Sequence, residues 1–185
     1  MTHLIGFDTT VFPKLDLADP DGYFRVLYEL KRLFKEHIDD LKPVIQAANE
    51  YKRAFDKLEP LIQSYTSKVC PYCGTVCCCN KHGFPEYADL VGMLAMGLEV
   101  PSYRFDVNKN ELCQFIGEKG CVLPRARRPY RCTWYFCDPL LLQIEIGPPR
   151  FYRHFISEIQ ALSLARGNML RTFYPIWLKL KGDNG

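Results

Sequence analysis

The sequence contains no apolar run approaching the roughly 20 residues that span a bilayer, which excludes a membrane-spanning helix on sequence grounds. The opening stretch, MTHLIGFDTTVFPKLDLADPDG, lacks a basic segment followed by an apolar one and predicts no secretory signal. Internal repeats, low-complexity tracts and Gly/Ser-rich linkers are missing too, which argues against solenoids and strings of tethered modules. Strong charge of either sign is also lacking. The formal net charge is +3, too small to imply a polyanionic partner, so nucleic acid is not expected. These absences together predict a cytoplasmic protein with no membrane contact, in a compartment that keeps thiols reduced.

What is present is a core. The chain has 185 residues, 48% hydrophobic and 14% aromatic, enough for a single domain over 1–185 without disulfide support. Nine cysteines are the compositional outlier. An odd number of them argues against a closed disulfide framework.

Apolar spacing organises the rest. Asp19-Pro20-Asp21 reads as a helix start, with a capping carboxylate, a first-turn proline and a first-turn acid. Phe24, Leu27, Leu30, Leu33, Phe34, Ile38 and Leu41 follow on one face. Pro43 is expected to end or kink this helix. A second stripe, Val44 to Tyr65, continues to about residue 66, with a bend at Pro60. Residues 19–66 are therefore expected to form a helical hairpin. A shorter helix is expected over 85–97, and a last one from Pro148-Pro149 across 148–180, ended or kinked at Pro175. Between Pro101 and Cys137 the segments YRFDV, CQFI and TWYF suggest short strands separated by turns. The fold class is mainly α with minor β, with helices around an irregular cysteine-rich centre over 70–137.

The cysteines fall in two groups: Cys70, Cys73, Cys77, Cys78 and Cys79, then Cys113, Cys121, Cys132 and Cys137. Groups of about four suit metal ligation, since zinc takes four S or N ligands and iron–sulfur clusters usually take four thiolates. A CxxC pair lets two sulfurs converge from a tight turn, with Gly74 supplying backbone freedom after it. In extended backbone the adjacent Cys77, Cys78 and Cys79 would point to alternate faces. CPYC also matches a thiol–disulfide oxidoreductase motif, with Cys70 and Cys73 as the dithiol. That chemistry places the first cysteine at a helix N-terminus after a strand, whereas a long helix is expected to precede Cys70.

A wider pattern joins the two groups. CPYCGTVCC, CQFIGEKGC and RPYRCTWYFC together resemble the YkgJ-like CxxCxxxCC cysteine-cluster family, described as zinc- or iron-chelating. Matching positions are Cys70, Cys73, Cys77, Cys78, Cys113, Cys121, Arg128, Pro129, Cys132 and Cys137. Cys79 is extra to that pattern, and Pro124 stands where an aromatic residue is expected. The resemblance covers residues 70–137 and implies metal chelation by the eight matching cysteines. Relatives include iron–sulfur-linked enzymes, but no single reaction carries over.

Lys119, Arg125, Arg127, Arg128 and Arg131 lie between Cys113 and Cys137 against one acid, Glu118. Cations beside thiolate sulfur stabilise its deprotonated form, and Arg128 and Arg131 are the expected supporting residues. RARRPYR reads alternatively as a nucleic-acid patch with Tyr130, Trp134 and Tyr135 as stacking surfaces, or as a solvated turn. His82 and Cys79 are candidate extra ligands, although a loop histidine more often lies on the surface. Glu86 and Asp89 are expected to be surface residues. His3, His37 and His154 are scattered and receive no role. The expected function is metal chelation, with zinc or iron, including an iron–sulfur cluster, as cofactor. The alternatives are the oxidoreductase and a zinc-stabilised interaction module whose helices meet a protein partner. Whether the chain is an enzyme stays open.

Overall fold

The computed structural model describes residues 7–74 and 77–182, and shows a mainly helical protein. Helix α1 spans Pro20–Glu36 and starts as the sequence predicts: the Asp19 side chain accepts the Gly22 N–H at 2.9 Å. It buries Tyr23, Leu30 and Phe34, whereas Phe24 and Ile38 of the expected apolar stripe are exposed. The chain leaves the helix at His37, whose N–H donates to the Leu33 carbonyl at 3.0 Å.

Helix α2, Lys42–Val69, takes Pro43 into its first turn, where a missing N–H has no consequence. It also runs through Pro60. An internal proline costs on the order of 3 kcal/mol, and here the flanking Leu58 and Ile62 are both buried in the core. The final helix does the same. This helix, the last of seven among the described residues and labelled α7, spans Pro149–Gly182 and passes Pro175 to bury Trp177 and Leu180.

The expected α1–α2 hairpin is not the principal packing unit. Helix α2 lies along α7, and α1 leans mainly on α4, Tyr87–Ala95. The reason is composition. Helix α4 is apolar nearly all round, with only Leu94 partly exposed, so it must be enclosed by neighbours rather than lie on the surface. Rings from several elements meet beside it: Phe12 stacks on Tyr87 at 5.1 Å between centroids, and Phe34 stacks on Phe173 at 6.2 Å.

The centre departs from the expected strands. YRFDV is irregular, and among the described residues the strand pair is β1, Ile116–Gly117, with β2, Gly120–Cys121. Gly120 has φ +104°, a conformation the turn needs and a side chain would oppose. TWYF contributes instead to a short helix α5, Arg131–Trp134. The equally short α3, Asn80–Gly83, sits within the cysteine-rich segment, and α6, Asp138–Glu145, packs Leu140 and Ile144 toward α2. No helix among the described residues is long and apolar enough to cross a membrane.

Candidate metal centre

The two cysteine groups interleave. At the end of α2 a 3₁₀ turn, Cys70–Tyr72, lets the Cys73 N–H donate to the Cys70 carbonyl at 3.3 Å. Among the described residues the positive-φ glycines are Gly97 and Gly120, and Gly74 is not one of them. Beyond it, Cys79 forms an antiparallel bridge with Leu112, and the Cys113 N–H donates to the Cys78 carbonyl at 3.1 Å. Buried Asn80 clamps the junction: its Nδ2 donates to the Asn108 carbonyl and its Oδ1 accepts the Gln114 N–H, both at 2.8 Å. The β1–β2 hairpin then returns Cys121 beside Cys113, α5 carries Cys132, and Cys137 caps the start of α6. Gly83 gives this arrangement its closeness, since a Cβ there would lie 2.5 Å from the Cys113 Sγ.

One cavity of about 380 Å³ collects Cys70, Cys77, Cys78 and Cys79 with Cys113, Cys121, Cys132 and Cys137. Cys73 is not among its lining residues and is half-buried beside it. Among the described residues no disulfide joins the cysteines. His82 also lines the cavity, half-buried, with Nδ1 3.3 Å from the Cys77 carbonyl and its own carbonyl 3.8 Å from the Cys132 Sγ.

As the side chains stand, no three His, Cys, Asp or Glu groups among the described residues are placed to hold an ion. The donor set itself fits a thiophilic metal, because the cavity offers eight sulfurs and one imidazole and has no carboxylate in its lining. A cysteine sulfur is redirected by rotation about a single bond, without backbone movement.

Burial favours the neutral form of five of the thiols. Desolvation first, then the neighbouring thiols of Cys137, Cys77 and Cys73, raises Cys70 above the ordinary thiol range. Desolvation and the thiols of Cys78 and Cys137 act in the same direction on Cys77. Cys132 is pushed up to about 12 by desolvation, then by Cys78, Cys113 and Cys121. Cys78 and Cys113 are raised as well, mainly by desolvation. Cys70 and Cys78 are exposed as residues, yet enough protein surrounds their sulfurs to produce the effect. A metal arriving here must displace protons.

Cations compensate. Lys119, Arg125, Arg128 and Arg131 line the cavity. Arg128, expected to support the site, donates from Nε to the Leu123 carbonyl at 2.8 Å and reaches the Cys121 carbonyl at 3.5 Å. Arg131, also expected there, lies 3.9 Å from Glu86 on a solvated face. Arg125 is the most buried of the four, ion-paired to Glu59 and 3.5 Å from the Cys132 carbonyl. Arg127 turns away and donates to the Glu99 carbonyl at 2.8 Å. RARRPYR is thus engaged arginine by arginine with its own protein.

Asp89 is not the surface residue expected. It is 7% exposed and accepts the N–H groups of Glu86 at 2.9 Å and Tyr130 at 3.0 Å. Arg166 of α7 stands 3.7 Å away, its guanidinium 4.4 Å above the Tyr130 ring. This buried group fastens Arg128-Pro129-Tyr130 to two helices and so positions Cys132. Neither Asp89 nor Arg166 carries a local signal of it; an acid on a short apolar helix is the only hint. His3 lies outside the described residues, and His37 and His154 sit beside Asp40 and Glu158, far from the thiols in the chain.

No protein-family model matches the chain, and no curated protein or solved structure does so either. The likeness to the CxxCxxxCC family rests on its matching positions alone.

Proposed function

We propose that the protein is a metal-chelating protein whose centre is stapled by zinc or by an iron–sulfur cluster. The carrying observation is that eight of the nine cysteines, from two distant groups, line one cavity. Cys70, Cys73, Cys77, Cys78, Cys113, Cys121, Cys132 and Cys137 are the ligand pool, with Cys79 and His82 beside them. When bound, the metal supplies either a rigid cross-link or an electron-transfer centre. The chain's own groups do the rest: Arg125 and Arg128 bring positive charge to the thiolates, and the Asp89–Arg166 pair holds the Cys132 loop in place. In this reading the protein works in the cytoplasm, with the helices free to meet a protein partner.

The oxidoreductase alternative loses support from the site. Cys70 stands at the C-terminal end of α2, where the helix dipole opposes a thiolate, and its thiol is raised rather than lowered.

Metal, iron and sulfide content of the protein purified without oxygen tests the proposal. Stoichiometric zinc in a colourless protein, or iron with sulfide in a brown one, is the expected result. A metal-free protein with a reversible Cys70–Cys73 disulfide would overturn it.

A further inference from the structure

The cavity is one space, but its thiols are not evenly spread, and the backbone sorts them. Cys70 and Cys73 share the 3₁₀ turn at the end of α2. Helix α6 packs against α2, which brings its capping residue Cys137 to the same end. Cys77 hydrogen-bonds through its thiol to Cys137, and Cys70 has Cys137, Cys77 and Cys73 as thiol neighbours. On the other side, the Cys113 N–H binds the Cys78 carbonyl, and the Ile116 N–H binds the Cys113 carbonyl at 2.9 Å while Ile116 pairs with Cys121. Cys132 closes this group: its thiol neighbours are Cys78, Cys113 and Cys121. Cys77 has Cys137 as a thiol partner and Cys78 has Cys113 and Cys121 as thiol neighbours, and the chain divides between the two residues accordingly.

Resting on the metal-chelating reading above, we infer that the eight cysteines form two four-sulfur sites. One comprises Cys70, Cys73, Cys77 and Cys137, the other Cys78, Cys113, Cys121 and Cys132. Each takes one thiophilic divalent cation of the zinc class. The two sites share a wall, because the Cys77 and Cys78 thiols are themselves hydrogen-bonded and Cys78 also lies near Cys70. Charge agrees. Four thiolates around a divalent ion leave −2, two such sites leave −4, and the cavity is lined by four cations and no carboxylate. Cys79 belongs to neither group. Its backbone is tied to Leu112, and it is buried beside Cys113 as a spectator. Binding is balanced by proton release, up to four per site, with no redox step.

Titrating reduced, metal-free full-length protein with Co²⁺ tests the division, read from the ligand-field bands of tetrahedral cobalt thiolate. Two equivalents are expected. Cys70→Ser/Cys137→Ser should retain one, and Cys113→Ser/Cys132→Ser should retain one. Cys70→Ser/Cys113→Ser, which damages both groups, should lose both, while Cys79→Ser keeps two. A single equivalent in the unaltered protein, loss of both in a within-group variant, or one retained in the cross-group variant would overturn the division while leaving metal chelation intact. No cobalt binding at all would overturn both. A second measurement avoids the variants. As a chelator strips Zn²⁺ from the unaltered protein, alkylation followed by mass spectrometry should show cysteines released in these two sets of four. Release of all eight together, or in mixed sets, contradicts the division.

Discussion

At the scale of single residues, the centre depends on charges that are buried and matched. Asp89 serves two backbone N–H groups and one guanidinium at once. Replacing it by alanine leaves Arg166 buried with no carboxylate, a loss of about 3–5 kcal/mol when one partner of such a pair is removed. Urea unfolding of Asp89→Ala should show that loss, and Asp89→Ala/Arg166→Met should recover part of it. The thiols make a second residue-scale prediction. Cys132 at about 12, with Cys70, Cys77, Cys78 and Cys113 also raised, means that the folded metal-free protein holds these protons longer than the unfolded chain. Their contribution is therefore fully present below the unfolded thiol value of about 8.5 and declines as pH rises through the window up to the folded values. The urea midpoint of metal-free protein should fall between pH 8 and about 10, and metal loading should flatten that decline.

At the scale of elements, the α2–α7 contact is the spine. Phe173 of α7 is fully buried against Phe12 and Phe34, whereas Phe151, on the same helix, is 46% exposed. Phe173→Ala should cost about 3–5 kcal/mol and Phe151→Ala close to nothing, by thermal or denaturant unfolding. Phe151 stands at helical spacing from the buried Phe155 and Leu162, which shows where periodicity stops being enough. Capping and spacing revealed α1, α4 and the start of α7 because those signals are local. Pro175 does not end α7, because a proline's penalty is local while the burial that outweighs it comes from elsewhere in the chain, and Pro43 sits in the first turn of α2 rather than at a helix end. Helix α6 is too short to show a period, and TWYF has strand composition but turns helical after the Pro129–Tyr130 corner. In the site, the cysteine pool was legible from its clustering. Asp89, Asn80, Arg166 and Gly83 were not, because each owes its role to a partner that only the fold brings near.

At the scale of the whole molecule, a well-packed helical core surrounds a centre with almost no regular structure of its own. Among the described residues, 70–137 contain one two-residue-stranded hairpin, short helices and α4, joined by scattered hydrogen bonds and by the buried Asp89–Arg166 pair. Structural zinc can contribute about 10–16 kcal/mol in peptides, comparable to the roughly 5–15 kcal/mol stability of an entire domain. In the proposed reading, the helices keep their own core when metal is removed, while the cysteine-bearing segments lose the ion that closes them. Hydrogen exchange of the protein before and after metal chelation tests this most directly. Protection should collapse over the cysteine-bearing segments of 70–137 and persist along the α2–α7 spine. Unchanged exchange in those segments after chelation would contradict a metal-stapled centre.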